Sequence, residues 1–89
     1  MATEILLDVH ELAAPEPMEL ALDALDKLQP GEYIKMLHRM QPFPLYNMLY
    51  DNGFNFKAVT GITCEFDIYI WIATDKASEQ VIENIIAKY

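Results

Sequence analysis

The sequence predicts an α+β fold, a two-layer α/β sandwich in which a mixed four-stranded sheet carries two helices and an extra helix follows at the C-terminus. Segments with alternating apolar residues interchange with segments that repeat at helical spacing, in the order βαβαββα. The length of 89 residues suits one domain. Its 53% hydrophobic and 22% charged residues exclude disordered and collagen-like classes.

The first half of the chain is predicted to form a strand, a helix and a second strand. Apolar residues alternate over residues 5–9 and again over residues 32–38. Between them, Pro15 and Pro17 fit the first turn of a helix that extends to about residue 28, because their missing N–H groups would have no partner there. A strand, helix and strand in succession favour a right-handed parallel crossover, so the two strands are predicted to be parallel neighbours.

The second half is predicted to contain a short helix and a hairpin. The helix covers residues 44–51 after a proline-rich turn, and Asn52 and Gly53 end it. A third strand follows at residues 54–58, and a turn at Thr60 and Gly61 leads to a fourth. The apolar face of this fourth strand is predicted to consist of Cys64, Phe66, Ile68, Ile70 and Ile72. The last two strands should pair antiparallel.

A final helix is predicted from about residue 75 to residue 89, capped by Thr74 or Asp75. Its apolar stripe consists of Val81, Ile82, Ile85, Ile86 and Tyr89. The sheet face without helices would carry Leu6, Tyr33, Leu37, Val59, Tyr69 and Trp71. Because neither surface stays bare in water, we expect them to meet, within one chain or across a homodimer, unless the helix extends the existing helical layer. The single domain is expected to span residues 4–89, with a core at 4–73 and the additional helix at 74–89.

Charge and cysteine content limit the classes of partner. The net charge is −8, which repels phosphate backbones and anionic lipids, so neither nucleic acid nor membrane is an expected partner. The longest apolar run has six residues, at 68–73, where about 20 are needed to cross a bilayer. Cys64 is the single cysteine, and residues 1–8 lack a basic signal region. We therefore expect a cytoplasmic protein.

Three segments carry a resemblance to a known family: residues 7–12, Pro15-Glu16-Pro17 and residues 28–32. Together they resemble the TusA/SirA-like family of small sulfur carriers, over about residues 4–73. The resemblance implies a βαβαββ sandwich. The family motif places a cysteine directly before Pro-x-Pro, where the helix dipole lowers the thiol pKa and favours a thiolate that carries persulfide sulfur. Here that position is Ala14.

Residues 38–46 resemble a related branch more closely. In that branch of bacterial domains of unknown function, often found beside hemerythrin-type or denitrification proteins, strand two ends in a histidine that precedes a Pro-x-Pro-Leu-Tyr helix start. The resemblance therefore implies a relative of the sulfur carriers that lacks their cysteine, and it implies no activity.

The candidate ligand-binding residues are His10, Glu16, His38, Arg39 and Tyr46. His10 and His38 end neighbouring parallel strands, at the edge where open α/β sheets bind ligands. With Glu11, Glu16 and Arg39 they could form a metal site or an anion site. The alternative is that each histidine orders its own turn. Strand alternation aims the two rings at different faces, so convergence requires one strand to end early.

No nucleophile with a neighbouring base is apparent, because Ser78 lies in the last helix away from any histidine and Cys64 should be a buried apolar thiol. We expect no enzyme and no cofactor. The predicted function is a small cytoplasmic binding or protein-interaction module with an unknown protein partner. The alternative is a redox or sulfur-metabolism accessory that binds a metal or a small anion at a cleft of His10, His38 and Arg39.

Overall fold

The computed structural model describes residues 2–89, which form four strands and three helices in the order βαβαββα. The elements are β1 (Thr3–Asp8), α1 (Glu16–Lys27), β2 (Glu32–His38), α2 (Phe43–Asp51), β3 (Phe54–Thr60), β4 (Phe66–Ile72) and α3 (Lys76–Ile86). The predicted fold class, α+β with a mixed four-stranded sheet and a C-terminal helix, is confirmed. None of the helices within residues 2–89 has the length and apolar content to span a bilayer.

The strands lie side by side in the order β1-β2-β4-β3. β1 pairs with β2 in parallel, as the crossover rule predicts, and Leu7 lies opposite Met36. β4 pairs antiparallel with both β2 and β3, which confirms the predicted hairpin. The two central strands are therefore β2 and β4, and they contribute most of the buried sheet residues.

One face of the sheet packs against α1 and α2 and forms the larger core. Alternation places Ile34 and Met36 of β2 beside Ile68 and Ile70 of β4 on this face, all fully buried. The helices contribute Ala21, Leu25, Leu45, Tyr46 and Leu49 to the same core. These four strands and two helices are the predicted two-layer sandwich.

The other face packs against α3 of the same chain. Ile82 of α3 is fully buried among Tyr33, Tyr69 and Trp71 of the sheet. Of the arrangements left open by the sequence, the structure shows packing within one chain, and α3 does not extend the α1–α2 layer. Leu6 at the edge stays 60% exposed. α3 therefore covers the centre of this face and leaves its β1 edge open.

The sequence prediction was wrong about Cys64, which lies in the turn before β4 rather than within the strand. The turn is tight because the N–H of Gly61 donates to the carbonyl of Glu65 at 3.0 Å. A Cβ on Gly61 would collide with the carbonyl of Cys64 and would lie 2.9 Å from a carboxyl oxygen of Asp67. Cys64 is half-buried there, and its burial raises the pKa of the thiol.

Candidate functional site

Both helices on the larger core side begin with a Pro-x-Pro pattern. Pro15 caps α1 and Pro17 lies in its first turn, while Pro42 caps α2 and Pro44 lies in its first turn. Proline fits these positions because first-turn N–H groups have no partner within the helix. Since β1 and β2 are parallel, both helix starts lie beyond the carboxyl ends of neighbouring strands. The two starts thus face each other across the end of the sheet.

A cavity of about 220 Å³ lies between these helix starts, and we call it the proline cavity. Most of its wall is apolar. Three polar side chains interrupt the wall, namely His38, Arg39 and Gln41. The remaining lining residues are Leu12, Ala14, Pro15, Pro17, Met18, Met40, Pro42 and Pro44. Its volume suits a small molecule or one side chain of a partner rather than a large substrate.

His38 forms part of this wall as a neutral ring with a free donor. It is only 5% exposed, and its Nδ1 accepts a hydrogen bond from the N–H of Met40 at 3.2 Å. Burial, followed by the nearby charge of Arg39, lowers the pKa of His38. A neutral ring that accepts at Nδ1 carries its proton at Nε2. Among residues 2–89, no acceptor binds that Nε2–H.

Arg39 supplies a positive charge that no carboxylate neutralises within residues 2–89. It is the single arginine of a chain with net charge −8. Lys27 pairs with Asp23 at 3.1 Å and Lys76 lies 3.7 Å from a carboxylate on its own helix, while within residues 2–89 the other lysines are unpaired like Arg39. A guanidinium without an acidic partner, in so acidic a chain, remains available for an anionic group from outside.

Gln41 and Tyr46 connect the cavity wall to the core. The hydroxyl of Tyr46 donates to Oε1 of Gln41 at 3.2 Å, and the Tyr46 ring stacks on Phe56 with centroids 4.0 Å apart. Burial raises the pKa of Tyr46 to about 12. Tyr46 is therefore a core residue that positions Gln41, and it does not itself line the cavity.

His10 does not share the proline cavity with His38. Its Nδ1 lies 2.5 Å from Oδ1 of Asp8, and its Nε2 lies 3.7 Å from Glu11. Leu7 packs with the larger core, so alternation directs Asp8 to the opposite face of the sheet. The hydrogen bond that His10 donates to Asp8 raises the pKa of His10. The histidines follow neighbouring strands, as predicted, and the structure gives them separate surroundings.

Of the five candidate ligand-binding residues, His38 and Arg39 line the cavity. Glu16 lies exposed in the first turn of α1, outside the lining residues. Sequence reasoning missed Gln41 and the apolar wall around Ala14 and Met18. The signal that could have found them is the second Pro-x-Pro, because two such helix starts after parallel strands must face each other.

The residues described offer little to a metal ion. Among residues 2–89, no group of three or more His, Cys, Asp or Glu side chains is placed to hold one. Nδ1 of His38 already accepts a hydrogen bond, so this ring offers one nitrogen at most. The free groups of the cavity are N–H donors, which suit a hydrogen-bond acceptor or an anion.

Fold and site together define the class of protein: a small α+β domain with a donor-bearing cavity at the carboxyl edge of its sheet. Comparison with protein families then assigns the chain more closely. Residues 6–71 match the family described as an uncharacterized conserved protein (DUF2249), and the chain belongs to this family. No curated protein and no solved structure matches the chain. The matched residues contain the whole proline cavity, while α3 lies beyond them.

Proposed function

We propose that this chain is a non-enzymatic binding module whose proline cavity holds a compact ligand with an apolar body and a carboxylate head. One observation carries the proposal: a mostly apolar cavity is lined by the buried His38 and the exposed Arg39, whose Nε2–H and guanidinium have no acceptor within residues 2–89. Charge-assisted bonds from such donors to a carboxylate are about twice as strong as neutral ones.

The prolines argue against a phosphate cradle in the same place. A phosphate-binding helix start presents several free N–H groups. Here each helix has proline at its cap and again in its first turn, so two N–H groups at the start of each helix are missing. The N–H groups of Glu16, Phe43 and Leu45 donate to carbonyls of the preceding turns. A small singly charged head fits this limited set of donors better than a phosphate does.

The wall composition supports binding rather than catalysis. Among residues 2–89, the cavity is lined by no serine, threonine, cysteine or acidic side chain, so His38 has no nucleophile to activate. Cys64 is not a lining residue, and burial raises its thiol pKa. We therefore propose that the module holds its ligand without changing it.

A second candidate is a sulfur-metabolism or redox accessory that binds a small inorganic anion in the same cavity. The observation that favours it is the place of Ala14, which lines the cavity beside Arg39. In the TusA/SirA-like carriers that this sequence resembles, that position carries the sulfur. We propose common ancestry with those carriers and loss of the carrier thiol. The metal-binding form of this candidate has no support from the described residues.

We further propose a cytoplasmic location and a protein partner for the module. The net charge of −8 and the single cysteine support both. A homodimer was expected as one way to cover α3 and the bare sheet face. Those surfaces meet within one chain, so the proposal that remains is a monomer that binds another protein.

A titration followed by ¹H–¹⁵N NMR tests the proposal. We expect n-butyrate to shift the amide signals of Ala14, Met18 and Gln41 in a saturable way. The neutral isostere n-butyramide should not, because it lacks the charge that Arg39 recognises. Arg39→Gln should abolish the effect, and Lys57→Gln, which removes a charge from β3, should leave it intact.

The other outcomes separate the candidates. Saturable shifts with thiosulfate alone would favour the inorganic-anion accessory, and shifts with zinc chloride would restore a metal site. Equal shifts with butyrate and butyramide, or no shifts with either, would contradict the carboxylate-binding module.

A further inference from the structure

The contact between α1 and α2 opens at its other end into a second cavity, of about 320 Å³. Whereas the proline cavity lies at the helix starts, this one lies along the later turns of both helices, and we call it the C-terminal groove. Its lining residues are Leu22, Leu25, Asp26, Met48, Leu49, Asn52 and Phe54. The function proposed for the proline cavity uses none of them.

The C-terminal groove has a buried apolar floor and exposed apolar sides. Leu25 and Leu49 belong to the core and form the floor. Leu22 is 38% exposed and Met48 is 41% exposed, one from each helix. Apolar side chains on two sides of an apolar depression give a surface into which a further row of apolar side chains fits.

The charged residues at this end of the two helices are mostly acidic. Asp26 is the one charged residue that lines the groove. Asp23 and Asp51 lie in the same later turns, each next in sequence to a lining residue. The basic residue at this end, Lys27, is already paired with Asp23 at 3.1 Å. A partner that enters this groove therefore gains from positive charge beside its apolar residues.

We propose that the C-terminal groove docks a basic amphipathic helix from a partner protein. Such a helix places apolar side chains at i, i+3 and i+4 into the groove, between Leu22 and Met48, and lysines or arginines beside Asp26. The groove is bounded by helices on both sides, and a third helix completes a packed layer above them.

A second copy of this chain is a poorer occupant. Two copies that meet through this surface would bring the same acidic side chains together, which is unfavourable. The amphipathic helix that a second copy could offer is α3, and its apolar stripe is already used, since Ile82 is fully buried against the sheet. Charge and packing together therefore favour a different, basic chain.

The test uses a synthetic peptide of about 14 leucine and lysine residues, roughly 21 Å long as a helix, with leucines at helical spacing. We expect it to bind the ¹⁵N-labelled protein with amide shifts centred on Leu22, Asp26 and Met48. A peptide of the same composition in scrambled order should bind more weakly, and one with glutamate for lysine should not bind.

Variants of the protein localise the site. Met48→Ser and Leu22→Ser should each weaken binding by about fivefold, because each removes a half-exposed apolar contact. Asp26→Lys should weaken it further. Leu6→Ser is the matched control, since Leu6 is 60% exposed on the opposite face of the sheet. Circular dichroism checks that each variant stays folded.

Several results would overturn the proposal. These are amide shifts centred on α3 or the β1 edge, equal binding of the ordered and scrambled peptides, or equal weakening by Leu6→Ser and Met48→Ser. Self-association through Met48 in light scattering would assign the groove to a second copy. The butyrate titration probes the proline cavity with different variants, so either proposal can fail without the other.

Discussion

His10 and His38 follow neighbouring strands, and yet their surroundings shift their pKa values in opposite directions. The hydrogen bond that His10 donates to the Asp8 carboxylate favours the protonated ring and raises the pKa of His10 from 6.5. Burial, followed by the charge of Arg39, disfavours the protonated ring and lowers the pKa of His38 from 6.5. A carboxylate beside one ring and burial of the other therefore move the two pKa values apart.

We predict that His10 protonates at a clearly higher pH than His38 when ring proton shifts are followed by NMR. Asp8→Asn should bring the pKa of His10 back towards 6.5 and leave His38 unchanged. One common midpoint for both rings would contradict this.

The sign of the stability change follows. The contribution of His10 to stability is complete below about pH 6.5. It is lost as the pH rises through the pKa of His10 in the folded state, which is raised. His38 acts oppositely, and stability falls as pH drops through 6.5 towards its lowered folded value.

Asp67 is a buried carboxyl group with few partners. It is 1% exposed, its Oδ2 accepts from the hydroxyl of Tyr89 at 2.6 Å, and its Oδ1 has no partner within residues 2–89. That hydroxyl also lies 2.7 Å from the hydroxyl of Tyr69. Burial and these bonds raise the pKa of Tyr89, so its phenol stays protonated as a donor.

We predict that Tyr89→Phe lowers the free energy of unfolding by about 1–3 kcal/mol, the usual cost of leaving a buried polar group without its partner. Urea denaturation measures this. Tyr50→Phe is the matched control, because Tyr50 is largely exposed and its hydroxyl has no partner within the described chain. Equal stability of Tyr89→Phe and the parent would mean that water replaces the phenol at Asp67.

At the scale of elements, the start of α3 is fixed by Asp75. Its carboxylate accepts from the N–H of Ser78 at 3.1 Å, from the Ser78 hydroxyl at 2.7 Å and from the N–H of Gly31 at 2.8 Å. The cap therefore also ties α3 to the turn before β2. These hydrogen bonds, that of Ser78 first, lower the pKa of Asp75.

We predict that Asp75→Ala destabilises the protein by about 1–2 kcal/mol, as loss of a helix N-cap does. Asp75→Asn keeps a capping oxygen and should cost less. The pKa of Asp75 is lowered in the folded state, so the charged cap contributes to stability above about pH 3.8. This contribution is lost as the pH falls through the folded-state pKa of Asp75. Chemical denaturation at several pH values measures this, and an Asp75→Ala cost that persists below that range would contradict it.

The strands and helices could be predicted because their apolar residues follow the period of each element. The repeat of α1 and α3 reflects one buried face, whereas β2 and β4 are buried on both faces and carry apolar residues on each. The error at Cys64 arose because its turn continues the alternation of β4. The apolar stripe of α3 predicts that one face of this helix is buried. Which surface covers that face depends on how the chain reverses at Asp75, and the periodicity of the sequence does not encode this reversal.

The candidate site could be predicted in part for a similar reason. His38 and Arg39 follow the carboxyl end of β2, a position that the parallel crossover makes significant. The apolar wall around Ala14 and Met18 carries no chemical pattern, and its existence depends on the distance between two helix starts. His10 was included because it ends a strand, although alternation already directed it to the other face.

At the scale of the whole molecule, charge repulsion opposes folding. The chain has fourteen acidic and six basic side chains. Within residues 2–89, four carboxyl oxygens lie within 4.0 Å of a basic or histidine nitrogen. Salt screens such repulsion over about 10 Å at 0.1 M. The folded state, which holds the charges closer together than the unfolded chain does, benefits most from screening.

We predict that the melting temperature rises by about 4 °C, equivalent to roughly 1 kcal/mol for a domain of this size, between about 0.05 M and about 0.5 M sodium chloride. Scanning calorimetry measures it. A Glu19→Gln, Asp26→Asn double variant, which removes two negative charges from α1, should show a smaller rise. A melting temperature that falls with salt would mean that attractive pairs outweigh the repulsion.

The proline cavity and the C-terminal groove lie at opposite ends of the same two helices. Both sites are lined by α1 and α2, so a ligand in one site and a peptide in the other would contact the same pair of helices. Thermodynamic linkage then requires equal effects in both directions: if butyrate tightens peptide binding by some factor, the peptide tightens butyrate binding by the same factor. In that case the pair of helices shared by the two sites would couple the binding of one partner to the binding of the other.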